Sequence, residues 1–146
     1  MTDTVTFKIK RQDSKSSSSY WETFTIPCVP NSNVISCLMD IQANPINAKG
    51  EAVTPVVWES NCLEEVCGTC TMVINGKVRQ SCSALVDQLE KPIKLKPMSK
   101  FPLVRDLVVD RTRMFSALKK VQAWVNADGY HDLGPGDRLS QEHQET

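Results

Sequence analysis

The stretch Cys62-Leu63-Glu64-Glu65-Val66-Cys67-Gly68-Thr69-Cys70-Thr71-Met72-Val73-Ile74-Asn75-Gly76-Lys77-Val78-Arg79-Gln80-Ser81-Cys82 spaces four cysteines as C-x4-C-x2-C-x11-C. Asn75-Gly76 separates two four-residue segments, 71–74 and 77–80. Asn-Gly suits a type I′ turn, which needs positive φ at both central positions, and so predicts a two-residue hairpin. The second segment then runs back along the first, and residue 70 returns close to residue 81. Cys82 thereby rejoins the loop that carries Cys62, Cys67 and Cys70. The hairpin explains how so short a final gap closes a four-thiolate site.

Three thiolates on one loop and a fourth from farther along can wrap a [2Fe–2S] cluster, and C-x4-C-x2-C is the plant-type cluster spacing. Such a cluster carries one electron at a time, which points to electron transfer. Gly68 lies between two candidate ligands, where the lack of a Cβ permits close approach and unusual φ. Hydrogen bonds to the sulfurs, exposure and net charge tune the potential of such a centre. Glu64 and Glu65, ionised inside the loop, either disfavour an added electron or form a solvated face. Four thiolates also suit structural zinc. Zinc ligands usually come in C-x2-C knuckles, and only Cys67 and Cys70 have that spacing here, so zinc is the second reading. Disulfides are the third, since the chain lacks the character of a small cysteine-stapled framework.

Composition narrows the rest. The chain has 146 residues, enough for one or two compact domains, and 17 basic residues balance 17 acidic ones. That balance gives no nucleic-acid footprint. There is no P-loop, no GxGxxG and no convincing Ser/His/Asp set. The start, Met1-Thr2-Asp3-Thr4-Val5, lacks the basic and apolar regions of a secretory signal, and no apolar run reaches the length of a membrane span. Six cysteines without a secretion signal indicate a reducing compartment and a metal role.

Residues 5–11 alternate apolar and polar side chains and predict a half-buried strand, paired as a hairpin with residues 20–26 across a Ser-rich loop. Ser32 or Asn33 is the expected N-cap of a helix over 34–41 whose apolar face carries Val34, Cys37, Leu38 and Ile41. Cys37 and Cys28 read as packing residues rather than ligands. A short strand is expected over 55–59, the Asn-Gly hairpin follows, and a further strand is expected over 93–97. Two hairpins, a crossing helix and a last strand predict an α+β fold, a β-grasp domain over 1–103. Residues 104–133 read as a helix-rich connecting segment, with Phe115, Leu118, Val121, Gln122 and Val125 at helical spacing and an apolar stripe that docks on the domain. Residues 134–146 read as a linker and the start of an absent C-terminal cluster domain.

The cysteine pattern, the Ile74-Asn75-Gly76 turn, Pro102-Leu103-Val104-Arg105-Asp106-Leu107-Val108-Val109-Asp110 and Lys119-Lys120-Val121-Gln122-Ala123-Trp124 together resemble the iron–sulfur subunit of succinate dehydrogenase/fumarate reductase (respiratory complex II), over nearly the whole chain. Small subunits of some molybdenum hydroxylases share the short final gap, but their second cluster motif is absent here. The loop filling Leu63-Glu64-Glu65-Val66 is similar to the bacterial branch. The resemblance implies an oxidoreductase subunit that takes electrons from an FAD-containing flavoprotein oxidising succinate. Electrons pass through [2Fe–2S], [4Fe–4S] and [3Fe–4S] clusters to quinone at a membrane-anchor subunit. It implies Cys62, Cys67, Cys70 and Cys82 as the [2Fe–2S] ligands, with the ligands of the other two clusters absent from this sequence. It implies a peripheral position on the cytoplasmic side of a bacterial membrane, and no activity for these residues alone. A free-standing ferredoxin-like carrier and a zinc-stabilised interaction module are the alternatives.

Overall fold

The computed structural model describes residues 3–123. Strands β1 (Thr4–Arg11) and β2 (Tyr20–Pro27) form the expected antiparallel hairpin, in register from Thr4 opposite Pro27 to Arg11 opposite Tyr20. The period of two sends Val5, Phe7, Ile9 and also Arg11 to the buried face. Helix α1 (Val34–Ala43) starts at Asn33, whose Oδ1 accepts from Ser36 N at 2.9 Å while Ser36 Oγ accepts from Asn33 N at 3.1 Å. This reciprocal cap satisfies two donors that a helix start otherwise orphans. The helix buries Val34, Ile35, Cys37, Leu38 and Ile41.

Strands β3 (Thr71–Ile74) and β4 (Lys77–Gln80) pair about Asn75 and Gly76, which take φ of 48° and 85° as a type I′ turn requires. A one-turn 3-10 helix (Val86–Gln88) follows. Strand β5 (Ile93–Lys96) then enters between the two hairpins, parallel to β1 and antiparallel to β3. The sheet order is β2-β1-β5-β3-β4. Phe7, Ile9, Phe24, Leu38, Ile41, Met72, Ile74, Ile93 and Leu95 fill one core. A mixed sheet with a packed helix is the α+β, β-grasp arrangement expected.

Two expectations need correction. Residues 55–59 form no strand, because no ladder partner runs beside them. Val57 instead donates its N–H to Asp106 Oδ2 at 3.0 Å and accepts from Leu107 N at 3.1 Å, and Val56 is buried in the core. The start of the supposed helical segment is a small hairpin, β6 (Leu103–Arg105) and β7 (Val108–Val109), turning at Asp106 with φ 44°. Three β-branched valines favour the extended form, and Leu107, Val108 and Val109 are buried there.

The chain divides into two compact units, Met1–Arg111 and Thr112–Thr146. The second contains α2 (Thr112–Lys120), with Lys119 and Lys120 in its last turn, where cations favour the helix dipole. Gln122 at φ 50° ends it, with Ala123 N bonded to Leu118 O and Gln122 N to Lys119 O, a Schellman arrangement. No residue of α2 is buried, and Phe115, Leu118 and Val121 are exposed. Val125 of the expected stripe and the expected linker 134–146 lie outside the described residues.

Candidate metal centre

Cys62 and Cys67 lie on the loop before β3, Cys70 immediately precedes that strand, and Cys82 follows β4 by two residues. The ladder that pairs Thr71 with Gln80 extends one step farther. Ser81 N and Ser81 Oγ both donate to Cys70 O, at 3.2 and 2.8 Å. This is the meeting of residues 70 and 81 that the Asn-Gly turn predicts. Asn33 Nδ2 donates to Cys82 O at 3.0 Å, so the cap of α1 also tethers the returning cysteine. Cys70 and Cys82 are buried and pack with Ile35 and Trp58. Cys62 is half-buried and Cys67 is exposed.

The loop curls because Leu63, Glu65 and Gly68 take φ of 61°, 64° and 73°. The curl turns backbone donors onto sulfur. Glu64 N and Cys67 N donate to Cys62 Sγ at 3.5 and 3.3 Å, and Thr69 N donates to Cys67 Sγ at 3.4 Å. Thr69 Oγ1 sits 3.3 Å from Cys67 Sγ. That hydroxyl first, with the backbone N–H groups, holds the Cys67 thiol down to about 6. The Cys82 thiol is pushed up, by burial first and by its neighbour Cys70. The loop thus sets Cys62 and Cys67 side by side, and the end of the hairpin brings Cys82 back to Cys70.

A bound cation deprotonates a coordinating thiol outright, which removes the reluctance of a buried Cys82 to ionise. Four cysteines brought to one place by a loop and its returning hairpin are a donor set that fits a [2Fe–2S] cluster. Glu64 and Glu65 are exposed on the loop. Cys28 and Cys37 belong to the main core instead, and burial pushes the Cys37 thiol up.

Behind the loop lies a polar cluster absent from the sequence reading. Arg11, 1% exposed, donates from Nε to Asp106 Oδ1 at 3.0 Å and from Nη2 to Thr54 O at 2.9 Å, and pairs through Nη1 with Glu22. Asp106 also accepts from Gln12 N and Val57 N, both at 3.0 Å. One carboxylate thus ties β1 and the β6–β7 turn to the segment that leads through Trp58 into the ligand loop. The signal for Arg11 was its place in the inward parity of β1. Arg111 was also missed, and no local pattern marks it; its guanidinium reaches the carbonyls of Gly68 and Thr69.

Sheet order, returning hairpin and the four cysteines they gather define a β-grasp iron–sulfur domain. Residues 6–116 match the model of the 2Fe-2S iron-sulfur cluster binding domain, and the chain belongs to that family, whose cofactor is the [2Fe–2S] cluster. It is 62% identical over 142 residues to the succinate dehydrogenase iron-sulfur subunit of Bacillus subtilis (strain 168), covering 97% of this chain and 56% of that protein. It is 38% identical over 66 residues to the fumarate reductase iron-sulfur subunit of Mycobacterium tuberculosis, covering 44% of this chain and 27% of that one. Among solved structures, a chain of the Mycobacterium smegmatis Sdh1 complex in the apo form shares the fold, with TM-score 0.68, 24% identity, and coverage of 97% of this chain and 56% of the other. The chain thus spans about half the length of the Bacillus relative.

Proposed function

We propose that this chain is the [2Fe–2S] relay segment of the iron–sulfur subunit of a succinate:quinone oxidoreductase, with Cys62, Cys67, Cys70 and Cys82 as the cluster ligands. The observation that carries the reading is the return of Cys82 to Cys70 by the Asn75-Gly76 hairpin, beside the loop with Cys62 and Cys67, in a chain 62% identical over almost its whole length to a succinate dehydrogenase iron-sulfur subunit. Cys62, Cys67, Cys70 and Cys82 would hold the cluster through their thiolates. When bound, the cluster accepts and releases single electrons, which divides two-electron flavin chemistry into one-electron steps.

The residues around it have separate tasks. The N–H groups of Glu64, Cys67 and Thr69 donate to the Cys62 and Cys67 sulfurs and favour negative charge there. Ile35 and Trp58 pack over Cys70 and Cys82 and keep water from that side. The opposite edge is open: Cys67 is exposed, and Leu63 and Val66 expose apolar side chains on the same loop. We assign that edge to an FAD-containing flavoprotein subunit, since an apolar rim beside an exposed ligand suits a covered contact. Onward transfer through [4Fe–4S] and [3Fe–4S] centres towards a membrane anchor needs other ligands, because no cysteine follows Cys82. Among the described residues no helix is long and apolar enough to cross a membrane. The proposed site is peripheral, on the cytoplasmic face of a bacterial membrane, through partners.

Anaerobic reconstitution tests the ligand reading: the chain should take up about two irons and two acid-labile sulfides and give a reduced-state EPR signal. Stoichiometric zinc without labile sulfide overturns it. The complex is tested by expressing the full reading frame with a tag. A co-purifying flavoprotein and a cluster reduced by succinate are expected, and a cluster inert to succinate in that preparation rejects the assignment. The 146-residue chain alone should show no succinate–quinone reductase activity.

A further inference from the structure

Arg111 is the last residue of the first compact unit, and its guanidinium closes over the C-x2-C turn. Nη1 donates to Gly68 O at 3.1 Å and Nη2 to Thr69 O at 2.6 Å. Two consecutive carbonyls are thus held by one planar fork, a geometry that guanidinium provides and ammonium does not. Its Nε is buried, so the charged head is partly withdrawn from water where it meets the loop.

The Gly68–Thr69 peptide links this cation to sulfur. Its carbonyl accepts from Arg111, and its N–H, on Thr69, donates to Cys67 Sγ at 3.4 Å. Hydrogen bonds in such a chain polarise one another, so a charge on the carbonyl side strengthens the N–H···S bond on the other. The turn also carries two carboxylates of opposite effect, Glu64 and Glu65, which are exposed and screened.

We propose that Arg111 is a positioning residue that raises the reduction potential of the centre, by fixing the Gly68 and Thr69 carbonyls and polarising the peptide that donates to Cys67. This rests on the ligand reading proposed above. Reduction adds one negative charge to the group held by the loop. A fixed cation one peptide away stabilises the reduced form more than the oxidised form. Hydrogen bonding to the sulfurs and local net charge are the means by which proteins set such potentials.

The test is an EPR-monitored redox titration of the reconstituted 146-residue chain and its Arg111→Gln and Arg111→Lys variants, with iron and labile sulfide measured on each sample. Arg111→Gln should keep the cluster and lower the reduced-to-oxidised ratio at a given potential about tenfold, which is about 59 mV for a one-electron couple. Arg111→Lys keeps the charge and loses the fork, so it should fall between, with a drop of about threefold. A residue that only braces the loop would move the unfolding midpoint and leave the potential in place. Both variants at the wild-type potential with full iron content overturn the proposal. If Arg111→Gln does not hold the cluster, Arg111→Lys decides: a lowered potential supports the proposal and an unchanged one refutes it. A wild-type chain that takes up no iron and sulfide instead sinks the ligand reading, a result distinct from either.

Discussion

Asp106→Asn replaces one buried oxygen by an amide and should be among the most destabilising single-atom changes in this domain. In the native protein Oδ1 accepts from Arg11 Nε and Gln12 N, and Oδ2 accepts from Val57 N, all at 3.0 Å. The asparagine carbonyl keeps the first two donors, and its amide then faces the Val57 N–H donor to donor. Arg11 loses one of its two carboxylate neighbours while remaining 1% exposed. Burial opposes the Arg11 charge; the Asp106 hydrogen bond and the charges of Asp106 and Glu22 outweigh it and hold its pKa above the usual arginine value. Removing one partner from a buried pair costs about 3–5 kcal/mol. Glu22 remains, so the lower end applies, about 3 kcal/mol of a total stability of about 5–15 kcal/mol. Urea unfolding followed by far-UV circular dichroism measures the loss. Arg11→Met, alone and combined with Asp106→Asn, completes a double-mutant cycle, and the double variant should lose less than the sum by about 1 kcal/mol or more. The cluster should also leave at lower urea in Asp106→Asn, because Val57 precedes Trp58, which packs on Cys70 and Cys82. A loss under about 1 kcal/mol, or strict additivity in the cycle, would refute the coupling.

Cys82→Ser should abolish or severely weaken the visible cluster absorbance, whereas Cys37→Ala should leave the spectrum intact and cost about 1 kcal/mol of packing in urea unfolding; the reverse pattern places the ligands wrongly. Gly76→Ala meets no atom within 4 Å, so its cost is the φ of 85° alone, about 1–2 kcal/mol by thermal or urea unfolding, with the spectrum retained. Asn75→Ala removes a donor to Glu90 O and an acceptor for Lys94 N, both at 2.8 Å, and should cost about 1 kcal/mol by loosening the hairpin tip from β5; a neutral result would mean that the turn holds β5 through its backbone bond alone.

What could be read along the chain was what a few neighbouring residues determine. The period of two in residues 5–11, the Asn33 cap, and the Asn75-Gly76 turn each express a local steric or hydrogen-bonding preference. The approach of Cys82 to Cys70 followed from the same turn, because a two-residue hairpin leaves only one register and that register brings residue 81 to residue 70. Nothing local told where β5 would lie. Its alternating Ile93-Lys94-Leu95-Lys96 suits any edge, and its insertion between β1 and β3 depends on both hairpins already sharing a face. Residues 55–59 were misassigned because Val57 pairs with Asp106 and Leu107, about fifty residues away, whereas 104–109 form a local hairpin whose valines already favoured extension.

The charged residues divide in the same manner. Arg11 occupies the inward parity of its strand, which signals a buried charge and hence a need for partners. Which carboxylates answer it, Glu22 across the ladder and Asp106 from 95 residues onward, emerges only when the chain has closed on itself. Arg111 carries no signal in its neighbourhood, since its targets are the carbonyls of Gly68 and Thr69. The chemistry of the centre is written in side chains at fixed spacing. Its environment is built from long-range contacts, whose loop-closure cost is repaid only when many form together, so no short window of residues can encode them.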